Sequence, residues 1–143
     1  MIRTLGKEDI HRVAKIWLDT NQKTHGFLPA QYWESHLASV KTALLEAEVY
    51  VYVEESTKEI LGFLGLQGDY IAGLFVEAGF QGRGIGRQLL DVVKRGRQEL
   101  TLHVYTKNKR AVQFYQREHF VIQDQTLDKD TGEEEYVMIW RDR

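Results

Sequence analysis

The sequence predicts an α+β fold, a mixed and mostly antiparallel central sheet flanked by helices, over a single domain spanning residues 1–143. Three features carry that expectation. Apolar residues recur at helical spacing through residues 10–44, then alternate through three consecutive runs joined by short polar turns. Beyond residue 85, helical and alternating segments take turns. No internal repeat or low-complexity linker divides the chain.

Ile2–Thr4 is a short candidate strand. Ile10, Val13, Ala14, Trp17 and Leu18 then form an apolar stripe of helical width, with Thr4 and Asp9 flanking its start. Pro29 opens a second helix, since proline is tolerated in a first turn, and Trp33, Leu37, Val40 and Leu44 share one face of it. At Val49, Val51 and Val53 the period changes, alternating with Tyr50, Tyr52 and Glu54 as a strand does. The polar turn Glu55–Glu59 leads into Ile60–Leu66, and Gly68–Asp69 leads into Tyr70–Val76. Such short connections make the three strands an antiparallel meander.

The glycine-rich loop Glu77–Gly86 runs into a helix with Ile85, Leu89, Val92 and Val93 inward. Leu100, Leu102 and Val104 alternate as a strand, and Asn108 stands where an N-cap belongs, before a helix carrying Ala111, Phe114 and Tyr115 on one face. Phe120–Gln125 and Tyr136–Trp140 close the chain as a hairpin around the polar loop Leu127–Glu135.

Composition narrows the functions available. The chain is 43% apolar and 28% charged, which is the balance of a soluble globular protein. Its formal charge of −2 argues against a general nucleic-acid binder. The absence of cysteine excludes disulfides, thiolate-ligated zinc and any acyl-cysteine intermediate, and no metal is expected. The start, MIRTLGKEDI, lacks the apolar stretch of a signal peptide, and no run approaches the ~18 apolar residues of a membrane span. A cytoplasmic location without a membrane partner is the expectation.

The segment with most chemical content is Gln81-Gly82-Arg83-Gly84-Ile85-Gly86. Its glycines allow torsions forbidden to side chains and a close backbone approach to a ligand. The helix that follows offers unpaired N–H groups and the positive end of its dipole, so the turn suits a pyrophosphate. Two nucleotide motifs fail here. No Lys-Ser or Lys-Thr follows the glycines as a P-loop requires, and Arg87 or Leu89 stands where a dinucleotide fingerprint needs its third glycine.

These residues match the pyrophosphate motif [Q/R]-x-x-G-x-[G/A], and the chain resembles the GCN5-related N-acetyltransferase (GNAT) superfamily, a small bacterial-type member. A second match lies downstream: the strand Leu102-His-Val-Tyr-Thr-Lys-Asn108, then Ala111, then Phe114-Tyr115-Gln-Arg-Glu-His-Phe120. Two motifs in the right order are far more specific than either alone. The resemblance is strongest from Tyr70 to Phe120, and it has two departures: Ala78 replaces a frequent proline, and His119 replaces the glycine usual before the terminal Phe. The latter position commonly adopts a left-handed conformation, which glycine tolerates best.

The resemblance implies transfer of an acetyl group from acetyl-CoA to a primary amine by direct attack in a ternary complex. It places the acetyl-pantetheine arm along Leu74, Phe75 and Val76, like an added strand. An N–H near Val76 would polarise the thioester carbonyl. Gln81, Gly82, Arg83, Gly84, Ile85 and Gly86 would hold the pyrophosphate, Arg83, Arg87, Lys107 or Lys109 would meet outer phosphates, and Asn108 would help bind the cofactor. Tyr115 is the implied general acid. His103, on the strand where relatives carry a glutamate, and Glu77, just past the meander, are alternative bases; a histidine titrates close to neutrality. His25, Phe27 and Tyr32 would line the acceptor pocket.

The acceptor is left open between protein lysine, an N-terminus and a small-molecule amine. A non-catalytic acetyl-CoA sensor or scaffold is the alternative. Acetylation of a charged transfer RNA is a third reading, against which the net acidity speaks. The chain is expected as monomer or homodimer.

Overall fold

The computed structural model describes residues 1–142. Seven strands form one sheet in the order β1-β2-β3-β4-β5-β7-β6, where β1 is Ile2–Thr4, β2 Glu48–Val53, β3 Ile60–Gln67, β4 Tyr70–Val76, β5 Glu99–Tyr105, β6 Val121–Leu127 and β7 Glu134–Arg141. The first four pair antiparallel, β4 and β5 pair parallel, and β7 inserts between β5 and β6. The expected mixed, mostly antiparallel sheet is therefore present. Among the described residues no helix is long and apolar enough to cross a membrane.

Helices cover both faces. On one, α1 (Ile10–Thr24) and α3 (Leu37–Glu46) bury Val13, Ala14, Ile16 and Leu44 against Val49, Val51 and Val53 of β2. On the other, α4 (Ile85–Lys94) and α5 (Lys109–Arg117) bury Leu89, Leu90, Val93 and Val112 against β3, β5 and Met138 of β7. The central strand β3 is buried from Ile60 to Leu66, which is why its sequence reads as a continuous apolar run and not an alternation.

The second expected helix is split into α2 (Ala30–Ser35) and α3, with the break at His36. There the imidazole Nδ1 lies 2.7 Å from the Tyr32 carbonyl, the acceptor that a continuous helix would reserve for the His36 N–H. That N–H instead bonds the nearer Trp33 carbonyl at 3.1 Å, tightening the turn. The inward face of α4 also differs slightly from expectation, with Leu90 buried and Val92 only half-buried.

One irregularity of the sheet matters most. β4 and β5 pair only at Tyr70↔Thr101 and Ile71↔Leu102, although both strands continue further. Beyond Ile71 they part, leaving the β5-facing edge of β4 without a partner and opening a cleft through the sheet.

Candidate active site

The cleft has a volume of about 530 Å³. Its floor is Leu74, Phe75 and Val76 at the free edge of β4, one end is closed by Gln81 and Gly86, and the far wall is α5 with Asn108, Ala111, Phe114 and Tyr115. The near wall is the end of α1, through Thr20, Asn21, Lys23, Thr24 and His25.

The glycine turn is built for backbone exposure. Gly82 and Gly84 have φ of 81° and 83°, left-handed values that a side chain would strain, and Gln81 to Gly84 are all exposed. Gly84 is the N-cap of α4. Among the described residues no backbone carbonyl takes up an N–H from Gly82 to Gly86. Those donors and the start of a ten-residue helix point outward beside the cleft. Gly86 is glycine for packing: a Cβ there would come 3.1 Å from Cζ of Phe114 and so push α5 away from α4. Gln81 Nε2 donates to the Val76 carbonyl at 3.0 Å, tying the turn back to β4.

Asn108 does cap α5, its Oδ1 accepting from the Ala111 N–H at 3.2 Å. That cap orients the helix that carries Tyr115 into the cleft. The Tyr115 ring packs on Phe114 and Phe120, with centroids 5.2 and 5.5 Å away, and the residue is only 8% exposed. Burial pushes its hydroxyl above the usual tyrosine range, so it is a protonated donor across ordinary pH. His119 has φ 74°, the left-handed value that glycine usually supplies at this position.

Several expected residues sit elsewhere. Ile85 is buried in the core, so only its backbone can face a ligand. Arg83 lies over the Phe80 ring at 5.1 Å, and Arg87 reaches no closer than 3.9 Å to Glu118. Lys107 is not in the cleft wall: its Nζ is 2.9 Å from Glu133 and 5.0 Å from the Phe27 ring centroid. Glu77 is likewise engaged, ion-paired with Arg12, which also donates to the Ile60 carbonyl. Its carboxylate is turned to Arg12, and Glu77 is not among the residues that line the cleft, which argues against it as the base.

His103 lies one residue beyond the last position at which β5 pairs with β4, on the face opposite Leu102 and Val104. Its Nδ1 is 3.5 Å from Glu135 Oε1, and its ring meets Tyr70 edge-on at 5.6 Å. Burial, then the nearby Asp128, push the Glu135 carboxyl above its ordinary range. Tyr105 donates to Asp128 at 2.8 Å and packs on the His25 and Phe27 rings at 5.1 and 5.5 Å. Tyr32 borders the same carboxylates, Asp128, Asp130 and Glu135. The residues expected for an acceptor pocket thus gather on the α1 face of the sheet, beside the acidic β6–β7 loop.

Sequence reasoning sees Glu135 only as part of the acidic loop Asp128–Glu135, not as the partner of His103, and misses the basic lining from Lys23, Arg110 and Arg117. The polar tail Asn21-Gln22-Lys23-Thr24, directly ahead of the expected pocket loop, was the available signal for the first of those three.

The model of the family described as "Acetyltransferase (GNAT) family" matches residues 10–120. The chain is 32% identical to the peptidyl-lysine N-acetyltransferase YiaC of Escherichia coli over 98% of its length and 96% of that protein's. It is 31% identical to the peptidyl-lysine N-acetyltransferase YjaB of E. coli, over 92% of this chain and 88% of that one. The apo solution structure of YjaB superposes with a TM-score of 0.86, covering 98% of this chain and 96% of that one. The PaiA N-acetyltransferase from Thermoplasma acidophilum, solved with coenzyme A, has a TM-score of 0.81 at 20% identity, covering 99% and 98%.

Proposed function

This chain belongs to the acetyltransferase (GNAT) family and is an N-acetyltransferase, and we propose that it moves acetyl from acetyl-CoA to the ε-amine of lysine in a peptide or protein. The observation that carries this reading is the parting of β4 and β5 between a turn of free N–H groups and Tyr115. The residues present fit coenzyme A. The turn at 82–86 offers backbone donors to the pyrophosphate, the open edge of β4 offers pairing to the pantetheine amides, and Lys23, Arg110 and Arg117 supply positive charge.

The amine nitrogen attacks the thioester carbonyl carbon; the N–C bond forms and the C–S bond breaks, with the electron pair leaving on sulfur. Tyr115 lines the cleft and would donate to that sulfur. Outright proton transfer from a phenol to such a thiolate is uphill by about 2 kcal/mol in water, and burial of Tyr115 widens the gap. The hydroxyl therefore acts chiefly as a hydrogen-bond donor to the developing thiolate. His103 accepts the proton lost by the amine, directly or through water, with Glu135 orienting the imidazole. Lysine as acceptor is supported by what YiaC and YjaB are named for and by the carboxylates of Asp128, Asp130 and Glu135 on that face.

The test is a comparison of thiol release from acetyl-CoA with four acceptors: a lysine peptide blocked at its N-terminus, a lysine-free peptide with a free N-terminus, a polyamine and an amino-sugar. Mass spectrometry then locates the acetyl group. Preferential turnover of the blocked lysine peptide is expected. Turnover of the amino-sugar or the polyamine alone would contradict the assignment.

A further inference from the structure

The end of α1 and the start of α5 form opposite walls of the cleft, 83 residues apart in sequence, yet one side chain joins them. His25 Nδ1 is 2.9 Å from Asn21 Oδ1, and His25 Nε2 is 3.2 Å from Asn108 Nδ2. Both amides are fixed by a second bond. Asn21 Nδ2 donates to the Trp17 carbonyl at 2.9 Å, and Asn108 Oδ1 accepts from the Ala111 N–H. Neither amide can flip without losing that bond.

The roles along the chain follow in one direction. Asn21 presents an oxygen, so His25 Nδ1 must donate; Asn108 presents an NH₂ group, so His25 Nε2 must accept. Only the neutral tautomer with its hydrogen on Nδ1 satisfies both ends. The surroundings agree: the ring is wedged among Phe27, Trp33 and Tyr105 with centroids 5.1–5.6 Å away, and burial lowers its pKa to about 4. Asp128 and Lys107, beside the packed rings, are turned to Tyr105 and Glu133, while Lys23 and Arg110 line the same cleft.

We propose that His25 is a positioning residue, a strut between Asn21 and Asn108 that fixes the separation of the α1 and α5 walls and thereby the placement of the Tyr115 hydroxyl in the cleft. Tyr115 lies seven residues along α5 from Asn108, about 10 Å at the helical rise, so a small tilt at the cap is carried to the hydroxyl. A misplacement of about 1 Å at a reacting centre costs on the order of 100-fold in rate. The proposal rests on the reading of this cleft as the acetyl-transfer site.

Two variants separate the strut from simple packing. His25→Phe keeps an aromatic ring and removes both hydrogen bonds; Asn108→Ser keeps a side-chain oxygen to cap Ala111 and withdraws the donor from His25 without adding a charge. Each is measured for kcat with acetyl-CoA and a lysine peptide, for acetyl-CoA Kd, and by nitrogen NMR of the imidazole where one remains. Expected are a fall in kcat of tenfold or more in both, a change in acetyl-CoA Kd of under threefold in His25→Phe, hydrogen on Nδ1 in the wild type, and His25 titrating at higher pH in Asn108→Ser. Wild-type kcat in either variant, a loss confined to Kd, or hydrogen on Nε2 in the unmodified protein would overturn it. Should His25→Phe fail to fold, kcat of Asn108→Ser and the wild-type tautomer decide the matter. An unmodified protein that transfers acetyl to no amine would instead refute the parent reading, an outcome distinct from an active wild type with indifferent variants.

Discussion

Replacing Tyr115 by phenylalanine removes one oxygen and leaves the rest of the core in place. The ring keeps its contacts with Phe114 and Phe120, and the residue is already 92% withdrawn from water. The hydroxyl borders the open cleft and is not among the buried polar atoms left without a partner, so its removal should change folding stability by about 1 kcal/mol at most. The effect on catalysis is different in kind. A hydrogen bond to a charged group contributes ~1.5–3 kcal/mol, and a donor aimed at charge that develops only in the transition state lowers kcat when lost. The expectation is thus a fall in kcat of about 10- to 100-fold, with acetyl-CoA Kd unchanged within a factor of about two and Tm close to that of the wild type. The assay is thiol release at saturating acetyl-CoA, with calorimetry for Kd and a thermal melt for stability. Unchanged kcat would remove Tyr115 from the mechanism; a drop in Tm of several degrees with proportional loss of all activities would make it a packing residue only.

Other expectations follow from the same geometry. Gly84→Ala places a side chain at φ 83°, a strain of about 1–2 kcal/mol at the N-cap of α4, and should weaken coenzyme A binding while leaving Tyr115 in place; calorimetric titration checks it. His119→Gly relieves a left-handed histidine at φ 74° and should raise stability by about 1 kcal/mol, or Tm by about 3 °C, without altering kcat. His25 is held neutral below its ordinary pKa of 6.5, down to about 4, so between those values the unfolded chain binds the extra proton. Stability should therefore rise with pH through that window and be lost on acidification, by about 1–2 kcal/mol once partial solvent access is discounted. Urea melts across pH 4–7 would show this slope in the wild type and a shallower one in His25→Phe.

Much of the element order was legible because its signals are local. Alternation at Val49–Val53, the glycines at 82–86 and the cap at Asn108 each act within a few residues, and the structure places β4 at the expected bounds, Tyr70–Val76. What could not be read depends on distant partners. The break at His36 arises from a side chain competing for a carbonyl, and β7 comes to lie between β5 and β6 through pairing invisible to any window of sequence. Nothing near Glu77 in sequence signals its ion pair, because the partner, Arg12, is 65 residues away. Glu135 was hidden inside a polar run, and only the β5–β7 register, which sets Tyr105 against it and His103 against Val137, brings it to the imidazole.

Acetyl transfer in this cleft requires the glycine turn to grip the diphosphate of coenzyme A. The most direct measurement is an amide NMR titration of the protein with coenzyme A. Saturable shifts concentrated at Gly82, Gly84, Ile85 and Gly86 and at Leu74–Val76, lost when dephosphorylated pantetheine replaces coenzyme A at the turn but retained along β4, are what the structure predicts. Shifts that leave residues 82–86 unmoved, or no binding at all, would contradict it.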